Sequence, residues 1–305
     1  MSKVIVFGSL NMDLSIESDH MPALGETIIG SGFITNPGGK GANQAVAASK
    51  LGASVVMLGA VGEDVFGDQM IAALAEEGVQ CEHIARSVKC PTGVALITRV
   101  KGDNFIIIDS GANYSTDFDE VKAALDVLAE GGDVFLCQLE CDFDTTMQAL
   151  INAHERGMYT VINPAPARKL PEWVLPHLDL VVINEGECEL LTGIYPEDED
   201  STRSAMEQLI HAGVGTVAVT LGERGSMVMS QGHFFKSVPP QVSAIDTTCA
   251  GDTYIGALVA GYSRGMTLEA SLEIATKASA LATTKVGAQQ SIPKLSELMI
   301  LLMEK

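Results

Sequence analysis

Residues 36–61 read NPGGKGANQAVAASKLGASVVMLGAV. The stretch passes from a glycine-rich turn into a helical pattern over Ala42–Leu51, then into an apolar, β-branched run over 55–61. A helix followed closely by a strand that is apolar on both faces is half of a βαβ unit. The same rhythm recurs along the chain. Short apolar runs stand at 4–7 (VIVF), 134–139 (VFLCQL), 159–163 (YTVIN), 180–184 (LVVIN) and 216–220 (TVAVT). Helix-like segments lie between them at Gly67–Glu77, Thr145–Arg156 and Ser201–His211. The expected fold class is α/β, with a buried, mostly parallel sheet. Ligands in such sheets bind beyond the carboxyl ends of the strands, so the residues just after each run are the candidates for function.

Three glycines around Lys40 invite comparison with a Walker A loop, which needs a Gly five residues before its Gly-Lys pair and a Ser or Thr directly after the Lys. Ile34 and Gly41 occupy those places, so the loop is expected to hold something else. A dinucleotide fold would want G-x-G-x-x-G after the first strand, where this chain has GSLNMD. That argues against an NAD-dependent oxidoreductase.

With 305 residues, 47% hydrophobic and 19% charged, the chain has enough apolar material for a large core. Its 19 basic and 39 acidic residues give a formal charge of -20, which repels nucleic acid and anionic membrane surfaces. A small phosphorylated ligand is still compatible, because backbone dipoles and a few cations bind it locally. The amino-terminal MSKVIVFGS is too short in its apolar run for a signal or membrane span, and a soluble, cytoplasmic protein is expected. Six cysteines (Cys81, Cys90, Cys137, Cys141, Cys188 and Cys249) form no C-x-x-C pair, so reduced, packed thiols are expected rather than a disulfide framework or zinc site.

Two regions break the βαβ rhythm. Segments 14–35 and 93–109 read as extended strands with turn residues and no helix between them. They are expected to form a small antiparallel sheet, a lid over one end of a single domain spanning 1–305; two ordinary surface hairpins fit the pattern equally well.

After the first strand, Asn11 and Asp13 offer an amide and a carboxylate suited to hydroxyl groups, although Asn and Asp also form turns. In GGKGAN, Gly39 and Gly41 permit close backbone approach, the helix beginning near Ala42 is expected to present free N–H groups, and Asn43 to bond a polyol. In DTTCAGD, Ala250 and Gly251 lead into Asp252 and an apolar helix. Amides there are expected to form an anion hole for a transferring phosphoryl group, with Asp252 expected beside them as the base; Asp is also a good helix N-cap. NEGE places Asn184 and Glu187 where a carboxylate can hold a magnesium-bound water, or simply cap a helix. TLGERG, with Thr220, Gly222 and Gly225, makes a turn able to pass over a nucleotide or to close a hairpin.

GSLNMD, GGKGAN, NEGE, TLGERG and DTTCAGD occur in the order and approximate spacing of the ribokinase-like carbohydrate kinases, the PfkB family, and the chain resembles that family over essentially its whole length. The resemblance implies a three-layer αβα sandwich with a β lid through which the protein forms a homodimer. It implies ATP-dependent phosphorylation of a sugar, with D-ribose at its 5-hydroxyl favoured by segments such as NPAPAR; 2-deoxyribose or a nucleoside is the nearest alternative, and a catalytically silent sugar-binding regulator a further one. By position it assigns Asn11, Asp13, Gly39 to Asn43 (including Lys40 and Gly41) and Glu140 to the sugar, and Asn184, Thr220, Gly222, Gly225, Gly251 and Thr276 to the nucleotide. Glu187 is placed near Mg2+ and Asp252 as the base. Asp246, Thr248, Ala282, Lys285, Gly287 and Ser291 are assigned to a K+ site, several through backbone carbonyls. Cys249, where many members have Gly, and Thr276, where His or Asn is expected, are departures.

Overall fold

The structure, a computed structural model, describes residues 2–100 and 103–298. Its larger sheet has seven parallel strands: β1 (Lys3–Phe7), β4 (Ser54–Gly62), β5 (Ile84–Ser87), β8 (Val134–Cys137), β9 (Tyr159–Ile162), β10 (Leu180–Ile183) and β11 (Thr216–Thr220). β12 (Ser226–Ser230) and β13 (His233–Ser237) extend one edge in antiparallel fashion, giving the order β13-β12-β11-β10-β9-β8-β1-β4-β5. β12 follows β11 through the Gly222–Gly225 turn, the hairpin that the sequence allowed; β5 and β13 were not expected, because IARS and HFFKS carry too little apolar alternation to stand out.

Each inner strand is apolar throughout because helices cover both faces. In β1, Val4 and Val6 join one core, while Ile5 and Phe7 enter the other. The first core is closed by α1 (Lys40–Lys50), α2 (Val65–Glu76), α7 (Ala250–Ser263) and α8 (Leu268–Ala282). The second is closed by α3 (Phe118–Leu128), α4 (Phe143–Glu155), α5 (Glu185–Thr192) and α6 (Glu199–His211). The expected three-layer α/β architecture is the observed one. Phe7 and Phe135, both fully buried, each contribute roughly 1.5–3 kcal/mol through the apolar area they remove from water.

The two segments read as a lid form β2 (Asn11–Glu17), β3 (Ser31–Gly38), β6 (Gly93–Val100) and β7 (Asp103–Asp109). β2–β3 and β6–β7 are antiparallel pairs, and parallel pairing of β2 with β6, from Asn11↔Gly93 to Glu17↔Arg99, joins them into one four-stranded sheet. This sheet grows from the carboxyl end of β1 and returns through Gly38 into α1, so its base lies where ligands of the larger sheet bind.

Helix ends distinguish two helices from the rest. Six are capped by their own side chains: Asp64, Asp117, Asp142, Asn184, Asp198 and Thr267 accept from the first turns of α2 to α6 and α8. α1 and α7 instead follow Gly39 (φ 88) and Cys249 (φ 65), with no side-chain cap. They also pack closely, since a Cβ on Gly256 of α7 would stand 2.4 Å from the Ala47 Cβ of α1. This contact packs the two helices against each other beyond their first turns.

Candidate active site

Asp252 is the third residue of α7, not its cap, and is 9% exposed. Its carboxylate accepts from Asn43 Nδ2 at 3.1 Å and from Gln44 Nε2 at 2.9 Å, both on α1. The amide of Ala250 donates to Thr247 O. Among the described residues, the amides of Gly251 and Asp252 donate to no protein acceptor. The open amides at this helix start are therefore those of Gly251 and Asp252, whereas that of Ala250 is taken within the chain. A Cβ on Gly251 would meet nothing within 4 Å, so the space beside those amides is left for a ligand.

The GGKG loop differs from its expectation. Amides of Lys40, Gly41 and Ala42 donate to Glu140 Oε2 (3.1 Å), Ser9 Oγ (3.3 Å) and Ser9 O (3.0 Å), and Ser9 Oγ itself donates to Glu140. None of these three is free for an anion. Gly41 is required by packing, since its Cβ would lie 2.5 Å from the Gly8 carbonyl carbon. What the loop presents is side chains. Lys40 lies among carboxylates; Asp252 above all, then Glu140 and Glu187, hold its ammonium above its ordinary range against the cost of burial.

Asn11 and Asp13 sit at the base of the lid on β2. The Leu10 N–H, which can only donate, bonds Asn113 Oδ1 at 2.8 Å, and Asn113 Nδ2 then donates to Asn11 Oδ1 at 2.7 Å. This leaves the Asn11 amide hydrogens for a ligand oxygen. Burial, followed by the charges of Glu140 and Asp252, pushes the Asp13 carboxyl up to about 7.

Two cavities meet at α7. The larger, about 640 Å³, is lined by Thr220, Gly222, Gly225, Gly251, Tyr254 and Thr276 among others. The smaller, about 150 Å³, is lined by Lys40, Asn184, Glu187, Thr220, Gly251 and Asp252, among others. Thr220 and Gly251 belong to both. In the smaller cavity, Glu187 N donates to Asn184 Oδ1 (2.8 Å) and Asn184 N donates back to Glu187 Oε2 (2.9 Å), a reciprocal cap. Glu187 is also only 6% exposed, and burial above all pushes its carboxyl up. It caps α5 and faces the phosphate-sized cavity together.

The model of the pfkB family carbohydrate kinases matches residues 1–295. The chain belongs to this family. It is 37% identical over 293 residues to the ribokinase of Haemophilus influenzae, covering 96% of this chain and 95% of that one. It is 33% identical over 296 residues to the deoxyribokinase of Salmonella typhi, covering 96% of each. A ribokinase of Arabidopsis thaliana, solved in complex with ribose and ATP, superposes with a TM-score of 0.90 at 29% identity over 99% of both chains.

The loops that the family resemblance assigns to a monovalent cation do come together. Asp246 accepts from the amides of Thr248 (2.9 Å) and Gly287 (3.0 Å); burial opposes ionisation, yet these bonds hold its carboxyl below the ordinary range. The Lys285 side chain turns away to Glu297 at 2.8 Å, and its amide donates to Ala282 O. Ser291 is buried and donates to Ala288 O. Among the described residues no three His, Cys, Asp or Glu side chains form a metal cluster.

Several site residues escaped sequence reasoning. Gln44 touches Asp252, Asn163 reaches both Gln44 and Glu187, and Ser9 and Asn113 orient loop residues. Asn163 ends the YTVIN run, so the strand-end rule was able to find it. Ser9, Gln44 and Asn113 carried no signal beyond adjacency.

Proposed function

We propose that this protein is an ATP-dependent sugar kinase that transfers the γ-phosphoryl group of ATP to the 5-hydroxyl of D-ribose, giving ribose 5-phosphate and ADP. The observation that carries the reading is the placement of the Asp252 carboxylate beside two open amides, at the junction of a nucleotide-sized cavity and the lid base. ATP fits the larger cavity, with its adenine end near Thr276 and its phosphates reaching Gly251 past Thr220. Ribose fits between Asn11, Asp13, Glu140 and Asn43.

In this reading Asp252 orients the 5-hydroxyl and accepts its proton as the oxygen attacks γ-phosphorus in line with the departing ADP oxygen. The Gly251 and Asp252 amides stabilise negative charge gathering on the γ-phosphoryl oxygens. Lys40, flanked by Asp252 and Glu187, supplies a cation on the phosphate side as well as a donor to the sugar. Magnesium, which neutralises phosphate charge when bound, fits Glu187: a lone buried carboxylate is suited to an ion held through water and phosphates. For K+, Asp246 with backbone oxygens of the adjoining 282–287 loop makes an oxygen-donor set suited to a hard cation.

The lid closes over the sugar to keep water from competing as acceptor. Phe33, Leu96, Phe105 and Ile107 are exposed on its strands, which supports homodimerisation through this sheet. No described helix is long and apolar enough to cross a membrane, and the cysteines are unpaired; a cytoplasmic location accords with both. A deoxyribokinase among the relatives favours 2-deoxyribose as the second acceptor to test.

The deciding assay is ADP release with ATP, magnesium and potassium, comparing D-ribose, 2-deoxyribose, fructose, adenosine and no sugar. Selective turnover on D-ribose is expected. Asp252→Asn is expected to lower kcat at least about a hundredfold while sugar still binds; near-normal kcat in that variant sinks the reading.

A further inference from the structure

Three amides lie in the interior beneath Asp252, and none faces bulk water: Gln44 is 0% exposed, Gln138 1% and Asn163 6%. Buried amides cost folding energy unless bonded, so their pattern is informative. Asn163 Nδ2 donates to Val182 O at 3.0 Å, and a carbonyl can only accept. That bond fixes the Asn163 orientation. Its second amide hydrogen points to Glu187 Oε2 at 3.4 Å, and its Oδ1 must face Gln44. Gln44 Nε2 therefore donates twice, to Asn163 Oδ1 (3.3 Å) and to Asp252 Oδ1 (2.9 Å). Its Oε1 accepts from Gln138 Nε2 at 2.7 Å. No amide in the chain can flip without facing donor to donor or acceptor to acceptor.

One polarised chain thus joins the two carboxylates of the site, each receiving an N–H at one end: Glu187 from Asn163 and Asp252 from Gln44. Its anchor is the backbone of β10, an inner strand of the larger sheet paired on both sides. We propose that Gln44 and Asn163 are positioning residues that hold the Asp252 carboxylate on the acceptor hydroxyl and tie its placement to that of Glu187. This rests on the reading of Asp252 as the base. Gln44 is fully buried, and Asn163 lines the smaller cavity with its amide committed to Val182, Glu187 and Gln44; both act by fixing where the carboxylates stand, and small displacements of a reacting group cost large factors in rate.

The test is steady-state kinetics on Gln44→Met, Asn163→Leu and the double variant, with Asp252→Asn alongside. Gln44→Met is expected to lose at least about tenfold in kcat, with KM for ribose and ATP within about threefold. Asn163→Leu is expected to lose less kcat and to raise the magnesium concentration giving half-maximal rate. The double variant is expected to match Gln44→Met within about twofold, since both break one chain. Unchanged kcat in Gln44→Met, or losses that multiply in the double variant, overturn the proposal. If Gln44→Met does not fold, Gln138→Met decides, because it removes the donor that locks Gln44 yet reaches neither carboxylate: a kcat loss of at least about threefold at constant KM supports the chain, and none overturns it. Loss of turnover in Asp252→Asn with normal Gln44 variants fails the chain alone; normal turnover in Asp252→Asn fails the reading beneath it.

Discussion

Asn43 Nδ2 lies 3.1 Å from Oδ2 of Asp252, a bond between residues 209 positions apart that locks the first turn of α1 to the first turn of α7. In the proposed reading, the sugar-side helix and the phosphate-side helix thereby meet on one carboxylate. Asn43→Ala removes this donor as well as the sugar contact proposed for Asn43. Both a higher KM for ribose and a lower kcat are expected, each by roughly tenfold, the scale of a charge-assisted hydrogen bond. Initial-rate measurements across ribose concentrations check it, and a change in KM alone contradicts the link to Asp252.

The glycines of the two loops do different work, and alanine scanning separates them. At Gly41 an added Cβ strikes the Gly8 and Ser9 backbone at 2.5 and 2.6 Å, so Gly41→Ala is expected to destabilise the fold by at least about 1–3 kcal/mol. At Gly251 the Cβ meets only open space, so Gly251→Ala is expected to melt within about 2 °C of the parent while KM for ATP rises severalfold. Thermal melts and ATP kinetics on the pair decide it.

Asp13 gives a pH dependence with a definite sign. Its carboxyl rises from an ordinary value of 3.8 to about 7 in the folded protein, so the native state holds a proton that the unfolded chain releases. Stability from this group is full below about pH 4 and is lost as pH rises to about 7 and beyond. Asp13→Asn, which mimics the neutral form, is therefore expected to match the parent Tm below about pH 4 and to exceed it at pH 8 in the absence of sugar. Equal Tm values at pH 8 contradict the assignment.

Glu187 faces the smaller cavity from a capped, buried position. Glu187→Gln keeps the shape of the cap and removes the charge. The magnesium concentration giving half-maximal rate is expected to rise at least about tenfold, in line with loss of a group that orients a metal. An unchanged magnesium titration contradicts its assignment to the ion.

Cys249 holds φ 65 and ψ 4, a left-handed conformation that costs a non-glycine residue on the order of 1 kcal/mol. Cys249→Gly is expected to keep kcat within about twofold and to leave Tm equal or slightly higher, as relief of strain offsets lost packing. A large drop in Tm shows that the thiol is needed by the core.

Hydrophobic periodicity determined most of the architecture. Runs such as VIVF and LVVIN are apolar at every position because both of their faces are covered, and that pattern is local. Motif order likewise placed Asp252, Glu187, Asn184 and the Thr220–Gly225 turn in one site. Strands with polar or short sequences, β5 and β13, were not legible, because their stability comes from pairing with a neighbour already in place.

Tertiary structure alone decided how the backbone and the amides are used. Three glycines around Lys40 look open to a ligand in the sequence, but Ser9 and Glu140, remote along the chain, take the amides of that turn. Asp252 is an excellent cap by residue type, yet Asn43 and Gln44 claim its carboxylate and leave the α7 amides open. A hydrogen bond satisfies whichever partner the fold brings near, so residue type fixes what a group can bond, and only the packed chain fixes what it does bond.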